Sequence, residues 1–171
     1  EDVLRRYYPG LTLWDARFLW AGRWIYFMVN TKRPLEEKIA LFWHHLFATA
    51  WYKSEHTPSM IRQIELFHRV GFSDLGTILL ELSRDPAMIY WLDNHDNHSG
   101  AVNENYGREL LELFSMGIGS YSEKDVYECA RAFTGWTIQN AGYMALRVDN
   151  ASIWPYGKIA WQFEYDAADH D

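Results

Sequence analysis

Residues Asn103–Gly119 read NENYGRELLELFSMGIG, and their pattern indicates the fold class of the chain. Polar and aliphatic residues recur at the spacing of an amphipathic helix, whose turn takes about 3.6 residues. Glu104, Arg108 and Glu112 follow one another at i, i+4 spacing on one side, while the aliphatic residues lie on the other. Gly117 then predicts the end of the helix, because glycine is the commonest residue just after a helix C-terminus.

The stripe formed by Glu104, Arg108 and Glu112 has three interpretations. Exposed pairs of this kind form a salt-bridged outer face, and each contributes about 0.2–0.5 kcal/mol. A buried stripe would hold Arg108 between two carboxylates and would position a loop or face a ligand, because buried ion networks are seldom kept for stability alone. A di-metal centre is the third, but such carboxylate helices use Glu-x-x-His, whereas Glu109 is followed by Glu112 and Glu112 by Ser115.

Similar signals elsewhere predict a mainly α-helical, bundle-like body. Pro34 suits a first helical turn, and Ser122 with Asp125 has the spacing of a capping box. The segment Asp93–Val102 is a loop by composition. The predicted helices, about seven, span 13–30, 34–51, 58–70, 73–83, 86–92, 103–117 and 122–134.

Near the C-terminus the period changes from that of a helix to that of a strand. Ile159, Trp161, Phe163 and Tyr165 alternate with other residues, which predicts a half-buried strand. Its predicted hairpin partner is Tyr143–Val148. We therefore expect one domain over 1–171, with a helical body over 1–136 and a β-hairpin and polar tail over 137–171.

The first predicted helix, 13–30, is unusual because apolar residues nearly encircle it. A helix of this kind is buried, or is covered by something outside its own chain. Aromatic residues make up 17% of the sequence, and such rings are enriched in both cores and interfaces. This surplus therefore favours a missing partner or missing chain.

Composition excludes several classes of protein. The net charge is −7 and no run of Lys or Arg is longer than a pair, so we expect no nucleic-acid partner. Cys129 is the only cysteine, which excludes an internal disulfide and a cysteine zinc site. The most apolar stretch, Phe18–Val29, contains Arg23 and is too short to cross a bilayer, so no transmembrane segment is expected.

The stretch Asn103–Gly119 resembles the most recognisable element of bacterial domain-of-unknown-function family 1800, Asn-Glu-Asn-(Tyr/Phe)-Ala-Arg-Glu-Leu-(Leu/Met)-Glu-Leu. The resemblance extends over about 33–136 through several ordered motifs. The other similar segments are Arg33–Leu35, Leu41–Thr49, Tyr90–Asn94, Tyr121–Val126 and Ala130–Trp136.

The resemblance implies a helix-rich protein that is often exported and has no established reaction. Family members are longer, and their pattern continues past a His-Asp pair that His170-Asp171 resembles. We therefore expect this chain to be a central piece of a longer, extracytoplasmic protein. Its expected partner is another protein or the remainder of the same polypeptide.

The chain departs from the family pattern at two places. Gly107 stands where the family tends to have alanine, which suggests close helix packing despite about 1 kcal/mol of lost helix propensity. The family often reads Trp-His-x-His-Phe, and its second histidine falls on Leu46 here. If that His-x-His pair bound metal in relatives, this chain has lost the pair.

The histidines give no strong metal signal, and no cofactor is expected. His44 and His45 are adjacent on a helix and do not face one point; we expect His45 to be exposed and His44 to donate a hydrogen bond at a helix junction. His95 and His98 lie in the polar loop 93–102. That loop is either a solvated segment or a transition-metal site.

Two functional hypotheses follow. In the first, the chain is an extracytoplasmic scaffold or interaction module in which a network of polar residues orders the loop 93–102 and the turn 117–119. In the second, it is an extracytoplasmic enzyme, for example a hydrolase, whose site uses His44 with Glu109 or Glu112 and is completed outside this chain. The proposed network consists of Asn103, Glu104, Asn105, Arg108, Glu109 and Glu112.

Overall fold

The computed structural model of the chain describes residues 13–54, 56–139 and 161–171. The predicted mainly helical fold with a small C-terminal β element is confirmed. The helices are α1 Leu13–Asn30, α2 Pro34–Leu46, α3 Trp51–Ser54, α4 Thr57–Val70, α5 Leu75–Ser83, α6 Pro86–Trp91, α7 Asn105–Glu109 and α8 Glu123–Ala132. A π-helical segment, Leu110–Ser115, continues α7; a 3₁₀ turn covers Asn94–Asp96; and the strands are β1 Trp136–Ile138 and β2 Phe163–Tyr165.

Side-chain caps fix several helix starts. Asp74 and Asp85 each accept a hydrogen bond from the backbone three residues on, at the starts of α5 and α6. Ser122 and Asp125 form the predicted capping box at α8. These residues satisfy backbone N–H groups that have no partner within the first helical turn, which explains why these three starts were predictable to within about two residues.

The helix predicted over 34–51 is shorter in the structure, and a separate short helix, α3, begins at Trp51. α2 ends at Leu46, and Phe47 leaves the helical path with its N–H still bonded to the Trp43 carbonyl. This break turns the Phe47 side chain fully into the core. A tertiary contact therefore ends α2 where the local sequence contains no stop signal.

The core forms where α2, α4 and the π-helical segment meet. The Phe47 ring lies 5.4 Å from Trp43, 6.2 Å from Phe67 and 5.1 Å from Phe114 between centroids. Aromatic pairs at such distances stabilise a core beyond the area they bury. The other buried apolar residues of this cluster are Ala40, Leu66, Val70, Ile78, Leu82, Met88, Leu92 and Tyr106.

α7 and α8 approach closely at Gly107. A Cβ added at Gly107 would lie 2.7 Å from the Ala130 backbone nitrogen, which is closer than real Cβ contacts. The close helix packing expected from Gly107 is present. The alanine typical of the family would not fit here unless the two helices moved apart.

The sheet joins the C-terminal segment to the end of the helical body. β1 and β2 are antiparallel, with Trp136 opposite Tyr165 and Ile138 opposite Phe163. The predicted strand therefore exists over 163–165, and its observed partner is β1. The predicted partner over 143–148 lies outside the described residues. No described helix is long and apolar enough to cross a membrane.

Candidate functional site

Two buried asparagines tie the loop after α6 to the end of α8. Asn94 Nδ2 donates to the carbonyls of Phe133, at 3.2 Å, and Trp136, at 2.8 Å. Asn97 Nδ2 donates to the Ala130 carbonyl at 2.8 Å and to Asn94 Oδ1 at 3.1 Å. The amide donors thus add a second hydrogen bond to the Ala130 and Phe133 carbonyls, which also accept from the backbone N–H groups of Phe133 and Trp136, and they hold the end of α8 against the loop.

Two further asparagines bind the same loop from the start of the NENYGRELLEL motif. Asn103 Nδ2 donates to the Asp93 carbonyl at 3.2 Å, and Asn103 N donates to Asn97 Oδ1 at 2.9 Å. Asn105 Nδ2 donates to the Leu92 carbonyl at 3.0 Å. The structure therefore brings the predicted residues Asn103 and Asn105 together with the loop 93–102.

The turn that begins this loop has an unusual backbone conformation. Asp93 has φ of +57°, in the left-handed region that non-glycine residues adopt infrequently. Lys53 Nζ donates to Asp93 Oδ1 at 2.7 Å and to the Trp91 carbonyl at 2.6 Å. The lysine therefore holds both sides of the turn, and α3 is fastened to the end of α6.

The predicted charged stripe is only partly present. Arg108 Nη2 lies 3.1 Å from Glu104 Oε2, as the i, i+4 spacing predicts, but its stronger partner is Glu123, at 2.7 Å and 3.1 Å from the two nitrogens. Glu112 instead accepts a hydrogen bond from the Tyr121 hydroxyl at 2.6 Å. Arg108 is therefore held between Glu104 and Glu123 and not, as in the second interpretation of the stripe, between Glu104 and Glu112.

The π-helical segment explains this difference. Its hydrogen bonds run from residue i to i+5, as from Met116 N to the Leu111 carbonyl at 2.9 Å. Each π-helical turn holds more residues than an α-helical turn. Glu112 lies inside this segment and is therefore rotated away from the side on which α-helical spacing would place it.

The Arg108 network faces solvent. The side chains of Arg108, Glu104 and Glu123 are 36%, 41% and 78% exposed. Hydrogen bonds to Glu123 and Glu104 raise the pKa of Arg108, and the same guanidinium lowers the pKa of Glu123. Of the interpretations of the stripe, this geometry is that of a salt-bridged outer face, whose energetic contribution is modest.

The two remaining carboxylates of the motif differ in environment. Partial burial raises the pKa of Glu109, and the neighbouring charge of Glu112 raises it further. The hydrogen bond to Glu112 raises the pKa of Tyr121 to about 12. Glu112 thus links the π-helical segment to the chain that follows the turn 117–119.

His44 lies in a largely aromatic environment. Its ring centroid is 5.6 Å from that of Trp24 and 6.4 Å from that of Phe67. Its Nδ1 is buried and has no hydrogen-bond partner among the described residues. Burial lowers the pKa of His44, an effect that Gln63 partly opposes. His45 is exposed, as predicted.

The structure does not bring the catalytic candidates together. No hydrogen bond or ion pair joins His44 to Glu109 or Glu112, all three of which lie in the described part of the chain. His44 belongs to the contact between α1, α2 and α4, while the two carboxylates belong to α7 and its π-helical continuation.

The loop histidines are engaged separately. His95 stacks on Tyr90 with the ring centroids 4.8 Å apart, and its Nε2 lies 3.7 Å from the Asp96 carboxylate. His98 Nδ1 pairs with the Asp169 carboxylate. Within residues 13–54, 56–139 and 161–171, no group of three or more His, Cys, Asp or Glu is arranged to hold a metal ion.

Three buried polar residues form a hydrogen-bonded series that the sequence does not predict, apart from a helix cap. Thr49 Oγ1 lies 2.5 Å from Gln63 Oε1, and Gln63 Nε2 donates to Asp85 Oδ1 at 2.7 Å. All three residues are buried, and burial raises the pKa of Asp85 to about 7. The Asp85-Pro86 pair predicts a cap, but only the packing of α4 against α6 makes this carboxyl a buried group.

Comparison with known families gives one result. A model of the DUF1800 family, described as a protein of unknown function, matches residues 14–171. The chain belongs to the DUF1800 family. No curated protein matches it, and no solved structure does.

The segments that resemble DUF1800 motifs meet at the loop after α6. The Tyr90–Asn94 segment supplies the carbonyls that Asn103 and Asn105 bind. The Ala130–Trp136 segment supplies the carbonyls that Asn94 and Asn97 bind. The motifs that resemble the family pattern therefore include a shared set of hydrogen bonds from side chains to the backbone.

Proposed function

We propose that this DUF1800 protein is a scaffold or interaction module outside the cytoplasm, and that it binds a helix of a partner protein through the outer side of α1. The observation that carries this proposal is an apolar stripe at the surface. Phe18, Ile25, Tyr26 and Val29 are 64%, 61%, 64% and 78% exposed. Together with Gly22 they follow i, i+4, i+7, i+8, i+11 spacing, which places them on one side of the helix.

Exposure of these side chains makes a partner energetically favourable. Fully burying one aliphatic or aromatic side chain contributes about 1.5–3 kcal/mol. Single exposed apolar residues are common, whereas contiguous apolar surfaces mark interaction sites. Four large side chains on one side of a helix form such a surface.

The shape of the stripe favours a helix as the occupant. A Cβ added at Gly22 would meet no atom within 4 Å, so the middle of the stripe is a shallow gap between Phe18 and Ile25. Ridges of one helix pack into grooves of another, and a glycine allows the two backbones to approach. Arg23 lies beside the stripe, with its guanidinium 4.6 Å from the Trp20 ring centroid.

The asparagine network supports a scaffold because it immobilises backbone. Asn103 and Asn105 direct their amide donors at carbonyls of the same chain, and Arg108 binds two carboxylates of the same chain. We propose a positioning role for these residues, with Glu104, Glu109 and Glu112 beside them, in ordering the loop 93–102 and the turn 117–119.

The alternative of an enzyme built on His44 with Glu109 or Glu112 has weaker support. A general base and its partner need to lie within hydrogen-bond reach of one another or of a shared substrate atom. In the described part of the chain no bond joins these groups, and His44 contacts the rings of Trp24 and Phe67.

Site-specific photo-crosslinking tests the partner. A benzoylphenylalanine at position 29 in the complete protein, expressed in the organism that encodes it, is expected to yield one dominant adduct with a second protein. The matched control is position 72, where Phe72 is also exposed, at 60%, but lies outside the stripe. Equal adducts at both positions, or adducts only within the chain's own polypeptide, would overturn the proposal.

Binding with the purified partner then tests the contact itself. Ile25→Ser is expected to weaken the affinity by about tenfold or more. It removes an aliphatic side chain that the partner would bury, and such burial contributes about 1.5–3 kcal/mol. Phe72→Ser should leave the affinity unchanged. Equal affinities for Ile25→Ser and the unsubstituted protein would rule out the stripe as the interface.

The location outside the cytoplasm is tested by fractionation of cells that express the complete gene. We expect the protein in the periplasmic or cell-surface fraction, as the family resemblance implies. Recovery in the cytosolic fraction alone would refute this part of the proposal without affecting the partner contact.

A further inference from the structure

A surface cleft lies between α4 and the junction of α5 with α6. Its volume is about 410 Å³, within the range of about 300–1,000 Å³ typical of small-molecule sites. The lining residues are Arg62, Glu65, Leu66, Arg69, Glu81, Arg84, Asp85 and Pro86.

The walls of the cleft are held by regular structure. The lining residues of α4 follow i, i+3, i+4, i+7 spacing, so they lie on one side of that helix. Arg69 Nη2 lies 2.8 Å from Glu81 Oε2 and bridges α4 to α5. At the floor, Asp85 Oδ1 accepts hydrogen bonds from Gln63 Nε2 at 2.7 Å and Met88 N at 3.0 Å.

The cleft is less acidic than the chain as a whole. The cleft contains three arginines, Glu65, Glu81 and Asp85, whereas the whole chain carries a net charge of −7. Burial raises the pKa of Asp85 to about 7, so this carboxyl contributes little negative charge in weakly acidic solution. In weakly acidic solution three arginines therefore face two charged carboxylates, which leaves a small excess of positive charge.

Two of the guanidinium groups retain donors for a ligand. Arg62 Nη1 donates to the Trp161 carbonyl at 2.9 Å and forms no ion pair with a described residue. Arg84 Nη1 is 4.0 Å from Glu81 Oε1, beyond hydrogen-bond reach, and its guanidinium lies 5.8 Å from the Trp136 ring centroid. Each guanidinium is a planar fork with five N–H donors, and most of them have no partner among residues 13–54, 56–139 and 161–171.

We propose that this cleft binds a small organic carboxylate through Arg62 and Arg84. A guanidinium pairs with a carboxylate through two parallel hydrogen bonds, and the pairing is stronger where the surroundings are partly desolvated. Phosphate uses the same donors, but it places all of its charge on one group beside Glu65 and Glu81, whereas a dicarboxylate distributes its charge over two carboxylate groups, one for each guanidinium. This function is independent of the α1 stripe.

Nuclear magnetic resonance of the arginine Nε–Hε groups tests the site directly. The full chain, labelled with ¹⁵N, is titrated with sodium succinate at constant ionic strength set by sodium chloride. The Arg62 and Arg84 signals are expected to shift and saturate together. The matched control is Arg33, which is 76% exposed and pairs only with Glu36 among the described residues; its signal should follow no saturating curve.

Two variants separate binding from folding. Arg84→Gln removes one fork from an exposed position and should weaken succinate binding by about tenfold or more. Arg62→Lys keeps a donor for the Trp161 carbonyl but loses the fork, and it should weaken binding similarly. Arg33→Gln should leave binding unchanged. The circular-dichroism spectrum of each variant serves as the check that it is folded.

Several outcomes would overturn the site. Succinate that produces no saturating shift, or that shifts Arg33 as much as Arg84, excludes a specific cleft. Tighter binding of inorganic phosphate than of succinate excludes a carboxylate ligand. Unchanged affinity in both Arg84→Gln and Arg62→Lys excludes the two guanidinium groups as its donors.

Discussion

Polar side chains usually lie at the surface and apolar ones in the core. The loop after α6 and the outer side of α1 both reverse this distribution. In the loop, Asn94 and Asn97 are almost fully buried and donate to backbone carbonyls. On α1, Ile25 and Val29 lie at the surface. A buried polar side chain is stable only when its hydrogen bonds are made. An exposed apolar stripe, in contrast, gains stability only when a partner covers it. The loop finds its hydrogen-bond partners within this chain. We propose that the apolar stripe of α1 finds its packing partner in another protein.

Asn97→Ala should cause the largest loss in the free energy of unfolding. An unchanged stability would contradict the view that the buried asparagines hold the loop. The substitution removes the partner of the Asn103 N–H and of Asn94 Oδ1, while the Ala130 carbonyl keeps its bond from the Phe133 N–H. Each buried unsatisfied group costs about 1–3 kcal/mol, so we expect a loss of about 3 kcal/mol in urea unfolding. Asn30→Ala, which removes an exposed amide, is the control and should change the stability little.

Asp85→Asn sharpens the comparison by removing a buried ionisable group at the start of α6, the helix that leads into the loop. The folded-state pKa is about 7 against an ordinary value of 3.8. The unfolded chain therefore releases this proton first, and stability falls as the pH rises from about 4 to about 7. Between pH 5 and pH 7 the unsubstituted protein should lose about 2 kcal/mol that Asp85→Asn does not lose.

Chemical unfolding of both proteins at several pH values measures this difference. Asparagine caps a helix as well as aspartate does, so the variant should fold normally. Parallel pH profiles for the two proteins would show that the Asp85 carboxyl titrates in the folded state as it does in the unfolded chain.

Replacing glycine by alanine should lower the free energy of unfolding at Gly107 in α7 and raise it at Gly22 in α1. Gly107→Ala places a Cβ 2.7 Å from the Ala130 nitrogen, and such overpacking costs about 1–3 kcal/mol, partly offset by improved helix propensity. Gly22→Ala meets open space and should stabilise the isolated chain by up to about 1 kcal/mol. Thermal unfolding distinguishes the two, and stabilisation by both would contradict the close approach of α7 and α8.

Arg108→Ala should have the smallest effect, because its partners Glu104 and Glu123 are solvent-exposed. Exposed ion pairs are screened by salt and contribute little. We expect a small loss of stability in low salt that disappears in about 1 M sodium chloride. A loss that persisted at high salt would indicate that the network is more desolvated than its exposure suggests.

Much of the fold was predictable because its signals are local. The Ser122–Asp125 capping box, the helical spacing of α1 and the alternation around Phe163 each depend on residues close in sequence. The π-helical segment and the end of α2 at Phe47 were not predictable, because each depends on contacts with distant elements.

The candidate site divides in the same way. The motif predicted that Asn103 and Asn105 lie next to the loop 93–102, and it predicted the Glu104–Arg108 pair. It could not supply Glu123 as the main partner of Arg108, since that contact depends on the packing of α7 against α8. The arginine-lined cleft and the burial of Asp85 depend on the packing of α4 against α5 and α6, which no single segment of the sequence specifies.

By itself, the sequence determined the helical class, most helix starts and the membership in the DUF1800 family. Helical period and caps are short-range effects, and ordered motifs identify a family without reference to its geometry. Only the tertiary structure decided which charges pair, which asparagines are buried and which side of α1 remains exposed. These properties depend on distances between elements far apart in the chain, and burial changes the energy of the same side chain more than its sequence neighbours do.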